Sequence, residues 1–173
     1  AWELVKIIWI PMVLFNPMGI SLFVGFIDRI YKEQEKEAAL QTKLALDIAD
    51  RCLSYLRKGL SDPDITEVAR IILQMSDVSA VAITDRQQIL AHAGIGEEHH
   101  KRNTPIQTRL TKKAIKTGTM VIANLKSEIG CSHHDCKLRS AVIVPLRRRE
   151  EVIGTIKIYL DRENAVSNRS EER

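Results

Sequence analysis

Residues 78–94 read VSAVAITDRQQILAHAG. The first seven, 78–84, are apolar and rich in β-branched side chains, and they run into a polar turn at Asp85 and Arg86. The last seven, QILAHAG (88–94), return to apolar residues and close on glycine. Strand, charged turn and strand make a β-hairpin. Just upstream the period changes. ITEVARIILQM (65–75) places Ile65, Val68, Ile72 and Met75 on one helical face, after the turn-forming SDPD at 61–64. Downstream, TRLTKKAIKTG (108–118) reads as a helix closed by Gly118, and TMVIAN (119–124) as a short strand. SAVIVPLRRREEVIGTIKIYL (140–160) holds two strands, Ser140–Leu146 and Val152–Leu160, about a solvated turn at Arg147, Arg148, Arg149 and Glu150. The expected fold is α+β, a largely antiparallel sheet flanked by helices, over residues 61–162.

Ahead of the domain, residues 31–60 are predicted to form a linker helix. DRIYKEQEKEAALQTKLALDIADRCLSYLRKGL (28–60) lacks proline, has no glycine before Gly59, and consists mostly of good helix formers. Leu40, Leu44 and Ile48 make one stripe, which Leu53, Leu56 and Leu60 continue with a phase shift. Such a helix is expected to pair with its copy in a parallel homodimer. Cys52 on this helix reads as a small packed apolar residue.

Further upstream, IIWIPMVLFNPMGISLFVGFI (7–27) carries no charge. As a helix it is roughly 31 Å long, the thickness of a bilayer core. Pro11, Pro17 and Gly19 are costly in a soluble helix and tolerated in a membrane one. Residues 1–30 are therefore expected to contain a transmembrane helix. A signal peptide fits poorly, because the run lacks a basic leader and a small-residue cleavage site; a buried helical hairpin broken at NPMG (16–19) is the other alternative. Arg29, Lys32, Lys36 and Lys43 follow at once, which puts the C-terminal side in the cytoplasm, where a structural disulfide is disfavoured. The chain begins at Ala1 rather than Met, so it is expected to be a piece of a longer protein.

Net charge is +4 with an isoelectric point near 9.0, but the charges are mixed and only 5% of residues are aromatic. No basic stripe interleaved with aromatics exists, which excludes a nucleic-acid partner. G-x-S-x-G, the P-loop and H-E-x-x-H are all absent, and no third group is evident to orient a cysteine–histidine dyad, so the segment carries no catalytic machinery.

The element order resembles the GAF domain, a small sensory fold. NPMGISLFVGFIDRIYKEQEKEAALQTKLALDIAD (16–50) resembles the last membrane helix and linker of LytS/YehU-type sensor histidine kinases. AVAITDRQQILAHAGIGEEHH (80–100) is similar to the first GAF hairpin of that family, and IGCSHHDCKLRSAVIVPL (129–146) to its cysteine-bearing loop and following strand. The family pattern has proline after the second cysteine, where this chain has Lys137, and commonly aspartate before the histidine pair, where it has Glu98. The resemblance implies a multi-span sensor of the inner bacterial membrane, a cytoplasmic GAF domain, and a kinase acting on a LytTR-type response regulator. No phospho-acceptor helix or ATP lid follows; residues 163–173 read as the start of an exit linker. Two roles follow from the resemblance. The domain senses a small ligand, a metal or a redox state and relays it through paired helices, or it is a structural dimerisation relay with sensing done by membrane helices.

The candidate ligand and metal residues are Cys131, Cys136, His133, His134, His99, His100 and His92. Arg86 is a candidate anion contact, although a plain hairpin turn describes it as well. The Cys131–Cys136 spacing suits a zinc pair, yet one pair supplies two of four tetrahedral ligands. By analogy with the GAF fold, His99 or His100 comes from the loop after the first hairpin, near the same pocket mouth. Zinc or another metal on Cys131, Cys136, His99 and His100 is one reading. A reversible disulfide and an inert loop are the others. His92, on a strand, reads more simply as a core histidine.

Overall fold

The computed structural model describes residues 2–60, 63–131, 133 and 135–166, leaving aside the side chains of 3–8 and 10–15. The chain divides into two compact units, Ala1–Leu46 and Asp47–Arg173. Helix α1, Trp2–Leu56, begins in the first and ends in the second.

In the first unit the large apolar side chains Met18, Ile20, Leu22, Phe23, Val24 and Phe26 are all exposed. Among the described residues no helix is long and apolar enough to cross a membrane. The expected span Ile7–Ile27 falls partly on residues 7, 8 and 10–15, whose side chains lie outside the described ones.

The second unit is built on a five-stranded sheet in the order β2-β1-β5-β4-β3. The strands are β1 (Ala80–Thr84), β2 (Ile89–Gly94), β3 (Val121–Ala123), β4 (Ser140–Arg148) and β5 (Glu151–Leu160). All four pairings are antiparallel, as the hairpin reading requires. Asp85 Oδ1 accepts the amides of Gln87 (2.6 Å) and Gln88 (2.7 Å), which turns β1 into β2. Helix α2 (Ile65–Met75) buries Ile65, Val68 and Ile72 of the expected apolar face together with Ala69, while Met75 is half-buried. Helix α3 (Arg109–Thr117) ends on Gly118 in the left-handed conformation. A short helix, α4 (Lys126–Ile129), was not anticipated; the Glu128 carboxylate accepts the amides of Asn124 (2.7 Å) and Leu125 (3.2 Å) and so caps it. Residues 163–166 form turns, and the rest of the expected exit linker lies outside the described residues.

Both sheet faces are covered. On one, Cys52 of α1 and the buried face of α2 pack against Val81, Ile83, Leu90, Ala91 and Ala93, with Ile48, Tyr55 and Leu56 alongside. The α1 face that packs is thus 48/52/55/56, one i, i+4, i+7, i+8 stripe. Leu53, read as part of the stripe, points to solvent instead, about 100° round the helix from Cys52. Leu40 and Leu44 are exposed as well.

The opposite face carries small residues. Ala80, Ala82, Ala123 and Ala141 are buried there with Tyr159, Ile129, Cys136 and Leu138. Register explains the arrangement. Tyr159 of β5 lies opposite Ala80 on one side and Ala141 on the other, while Lys157 lies opposite Ala82 and Ile143. Ala82 in turn faces His92. Directly opposed residues share a face, so His92, Lys157 and Tyr159 all project among alanines, which leave room above the sheet.

Candidate functional site

That room is filled by two loops. The first leaves β2 at Gly94 and turns at Gly96, whose carbonyl accepts both the His99 amide (3.2 Å) and the His100 amide (2.9 Å). Gly96 has φ +91°, and a Cβ there would lie 3.0 Å from His100 Cδ2 and 3.3 Å from His99 Cε1. The missing side chain therefore lets both imidazoles fold back over the turn. The second loop leaves α4 and carries Cys131 and Cys136, with Cys136 and the adjoining Leu138 buried in the alanine-rich core.

The two loops bring four donors together. One ligand atom each from His99, His100, Cys131 and Cys136 lies within 4.8 Å of all the others. His100 Nε2 is 3.8 Å from Cys131 Sγ. His99 Nδ1 donates to Glu98 Oε1 at 3.0 Å, which leaves the lone pair on Nε2; that atom is buried and has no hydrogen-bond partner among the described residues. Both cysteines are free thiols.

The surroundings are buried and polar at once. His92 stacks on His100 at 4.9 Å, and its Nε2 meets the Ile95 carbonyl at 3.0 Å. Tyr159 lies beneath both imidazoles. Burial holds His100 down at about 4, helped by the neighbouring imidazoles of His92 and His99. Burial also lowers His92 and raises the Cys136 thiol and the Tyr159 phenol. Lys157 is buried, and desolvation lowers it to about 8, partly offset by the Cys131 thiol beside it. A cavity of about 170 Å³ opens on the cluster, lined among others by His99, His100, Cys131, His133 and Lys157.

The other sequence candidates fall elsewhere. His133 is exposed and stacks on His99 at 4.3 Å rather than joining the four donors. His134 lies outside the described residues. His92 is buried and forms the wall behind His100, but its Nδ1 has no hydrogen-bond partner among the described residues. Arg86 pairs with Glu151 at 2.8 Å on the surface and does not line the cavity. Sequence reasoning passed over Lys157, Tyr159 and Glu98 as parts of the site. The only signal for the first two was the alternation that puts Thr155, Lys157 and Tyr159 on one face of β5.

A family model for the GAF domain matches residues 47–172. The chain is 43% identical over 92% of its length to sensor protein LytS of Staphylococcus saprophyticus, of which it covers 27%. To the sensor histidine kinase/phosphatase LytS of Staphylococcus aureus it is 37% identical over 95% of its length, covering 28% of that protein. The chain thus spans less than a third of the relatives it matches. Among solved structures, the Aquifex aeolicus nlh2 GAF domain superposes with a TM-score of 0.55 at 14% identity, over 73% of this chain and 84% of that one. That likeness concerns the fold alone.

Proposed function

Because the chain belongs to the GAF domain family, and its relatives are LytS sensor proteins, we propose that it is the sensory and transmitting portion of a membrane-bound two-component sensor histidine kinase. The observation that carries this reading is the sandwich itself. Ile48, Cys52, Tyr55 and Leu56 of α1 are packed on one face of the sheet whose other face holds the cysteine–histidine cavity. A change of occupancy on one face shifts the population of helix arrangements on the other. The polar cavity favours sensing in this domain over a purely structural relay, for which a filled interior would suffice.

The remaining features follow from the same reading. The uncharged run Ile7–Ile27 sits in the inner membrane, and the basic residues Arg29, Lys32, Lys36 and Lys43 hold the GAF domain on the cytoplasmic side. The exposed Leu40 and Leu44 meet a second copy of the chain in a homodimer. The kinase region beyond this chain phosphorylates a response regulator of the LytTR type.

The test lengthens the helix. One to seven alanines are inserted after Leu46, between the paired Leu40/Leu44 face and the packed Ile48/Cys52 face, in the intact kinase, held in lipid, and phosphoryl transfer to the regulator is measured. Output is expected to oscillate with the helical period, recovering near four and seven residues, because each insertion rotates the downstream face by about 100°. Output indifferent to insertion length would sink the relay. In parallel, Leu40→Asn with Leu44→Asn should weaken self-association of the chain at least tenfold, about 1.4 kcal/mol, by sedimentation equilibrium. Unchanged self-association would remove the helix pairing.

A further inference from the structure

We propose that His99, His100, Cys131 and Cys136 form a mononuclear zinc site that ties the loop after β2 to the loop after α4. The proposal goes beyond the signalling role and is tested on the chain alone.

Three observations carry it. The first is the donor set and its size. Two thiolates and two imidazoles suit a tetrahedral zinc ion, with Zn–S about 2.3 Å and Zn–N about 2.0 Å, which separates the donors by roughly 3.3–3.8 Å. The four atoms here already lie within 4.8 Å of one another, and the His100–Cys131 separation is 3.8 Å. A two-iron cluster would hold the cysteine pair and the histidine pair on opposite irons, farther apart than this. One ion fits; a bridged pair does not.

The second observation is His99. Its Nε2 is buried without a partner among the described residues, an unfavourable state for a nitrogen lone pair. Its Nδ1 is held by the Glu98 carboxylate at 3.0 Å. A carboxylate that fixes the tautomer and aims the other nitrogen inward is the usual outer support of a zinc-bound histidine. Glu98 is thus a positioning residue, and the orphaned nitrogen has an occupant. The third is Gly96, whose missing side chain leaves room for two consecutive histidines to present both rings to the same point. His133, exposed and stacked on the outside of His99, is not a ligand.

The chemistry balances. The ion arrives hydrated and its waters leave to solvent as the four side chains bind, Cys131 and Cys136 each release one proton to buffer, and the filled site carries no net charge, with Lys157 as the adjacent cation. Binding is therefore accompanied by release of about two protons per ion.

The test uses the whole chain, purified without a histidine tag and stripped with a chelator. Cobalt(II) and then zinc are titrated in. The expected result is one ion per chain, with the strong visible bands of a tetrahedral cobalt ion and a near-ultraviolet thiolate-to-cobalt band. Zinc should displace cobalt with loss of both. Cys131→Ser, Cys136→Ser, His99→Ala and His100→Ala should each abolish the spectrum, and His133→Ala should keep it. Glu98→Gln should weaken the affinity about tenfold while the metal-free fold, read by circular dichroism, stays unchanged. The wild-type spectrum reports ligand type even where a variant fails to fold. No binding, an octahedral spectrum, iron with inorganic sulfide in place of one ion, or facile closure of a Cys131–Cys136 disulfide in metal-supplied protein would each overturn the site.

Discussion

Gly154→Ala is expected to cost about 3 kcal/mol or more and to lower the melting temperature by roughly 10 °C. Gly154 lies on β5 where the end of β1 crosses closest, and a Cβ there would fall on the Thr84 carbonyl oxygen. It would also stand 3.1 Å from the Thr84 carbonyl carbon and 3.2 Å from Asp85 Cα. These are backbone atoms, so no rotamer change relieves the clash; β1 and β5 must separate. The same strands hold the buried Thr84–Thr155 hydroxyl pair at 2.7 Å, which would lose its geometry. Urea unfolding of the whole chain is the measurement. A midpoint within error of wild type would mean that the two strands are not packed as described.

The second large effect is Ile65→Ala, expected to destabilise by about 3–4 kcal/mol. Ile65 is fully buried at the start of α2, against the same core as Ile83 and Cys52. Its neighbours Val68 and Ala69 are held by helix and sheet and cannot collapse into the void, so the cavity term adds to the lost transfer energy. Leu53→Ala, an equally drastic truncation on the exposed side of α1, should stay within about 0.5 kcal/mol in monomeric protein. Similar urea midpoints for the two variants would contradict the packing faces of α1 and α2.

That contrast shows what a periodic pattern carries and where it stops. The stripe through Leu40, Leu44, Ile48, Leu53 and Leu56 was legible as helix, and helix it is. Which of those leucines meet the domain was not, because a helix with apolar residues on several faces offers more than one seam. The sheet chose the face bearing Ile48, Cys52 and Leu56 and left Leu53 outside. Likewise α4 escaped notice because four residues are too few to show a period, and its cap is made by a side chain reaching back to amides that no sequence window weighs.

By itself the sequence determined the elements, because hydrophobic period, turn chemistry and chain stiffness act over a few residues. The hairpin about Asp85, the helix Ile65–Met75 and the last two strands needed nothing from far away. It also put His99, His100, Cys131 and Cys136 among seven candidate ligands, through the Cys131–Cys136 spacing and the resemblance to a known loop. Tertiary structure alone decided that those donors meet. The register of β5 between β1 and β4 sets Tyr159 and Lys157 among Ala80, Ala82 and Ala141, and those small side chains leave the space into which two loops, thirty-one residues apart at His100 and Cys131, fold together. Contacts between distant residues depend on the volume left by everything between them, and a local pattern of residue types does not record that volume.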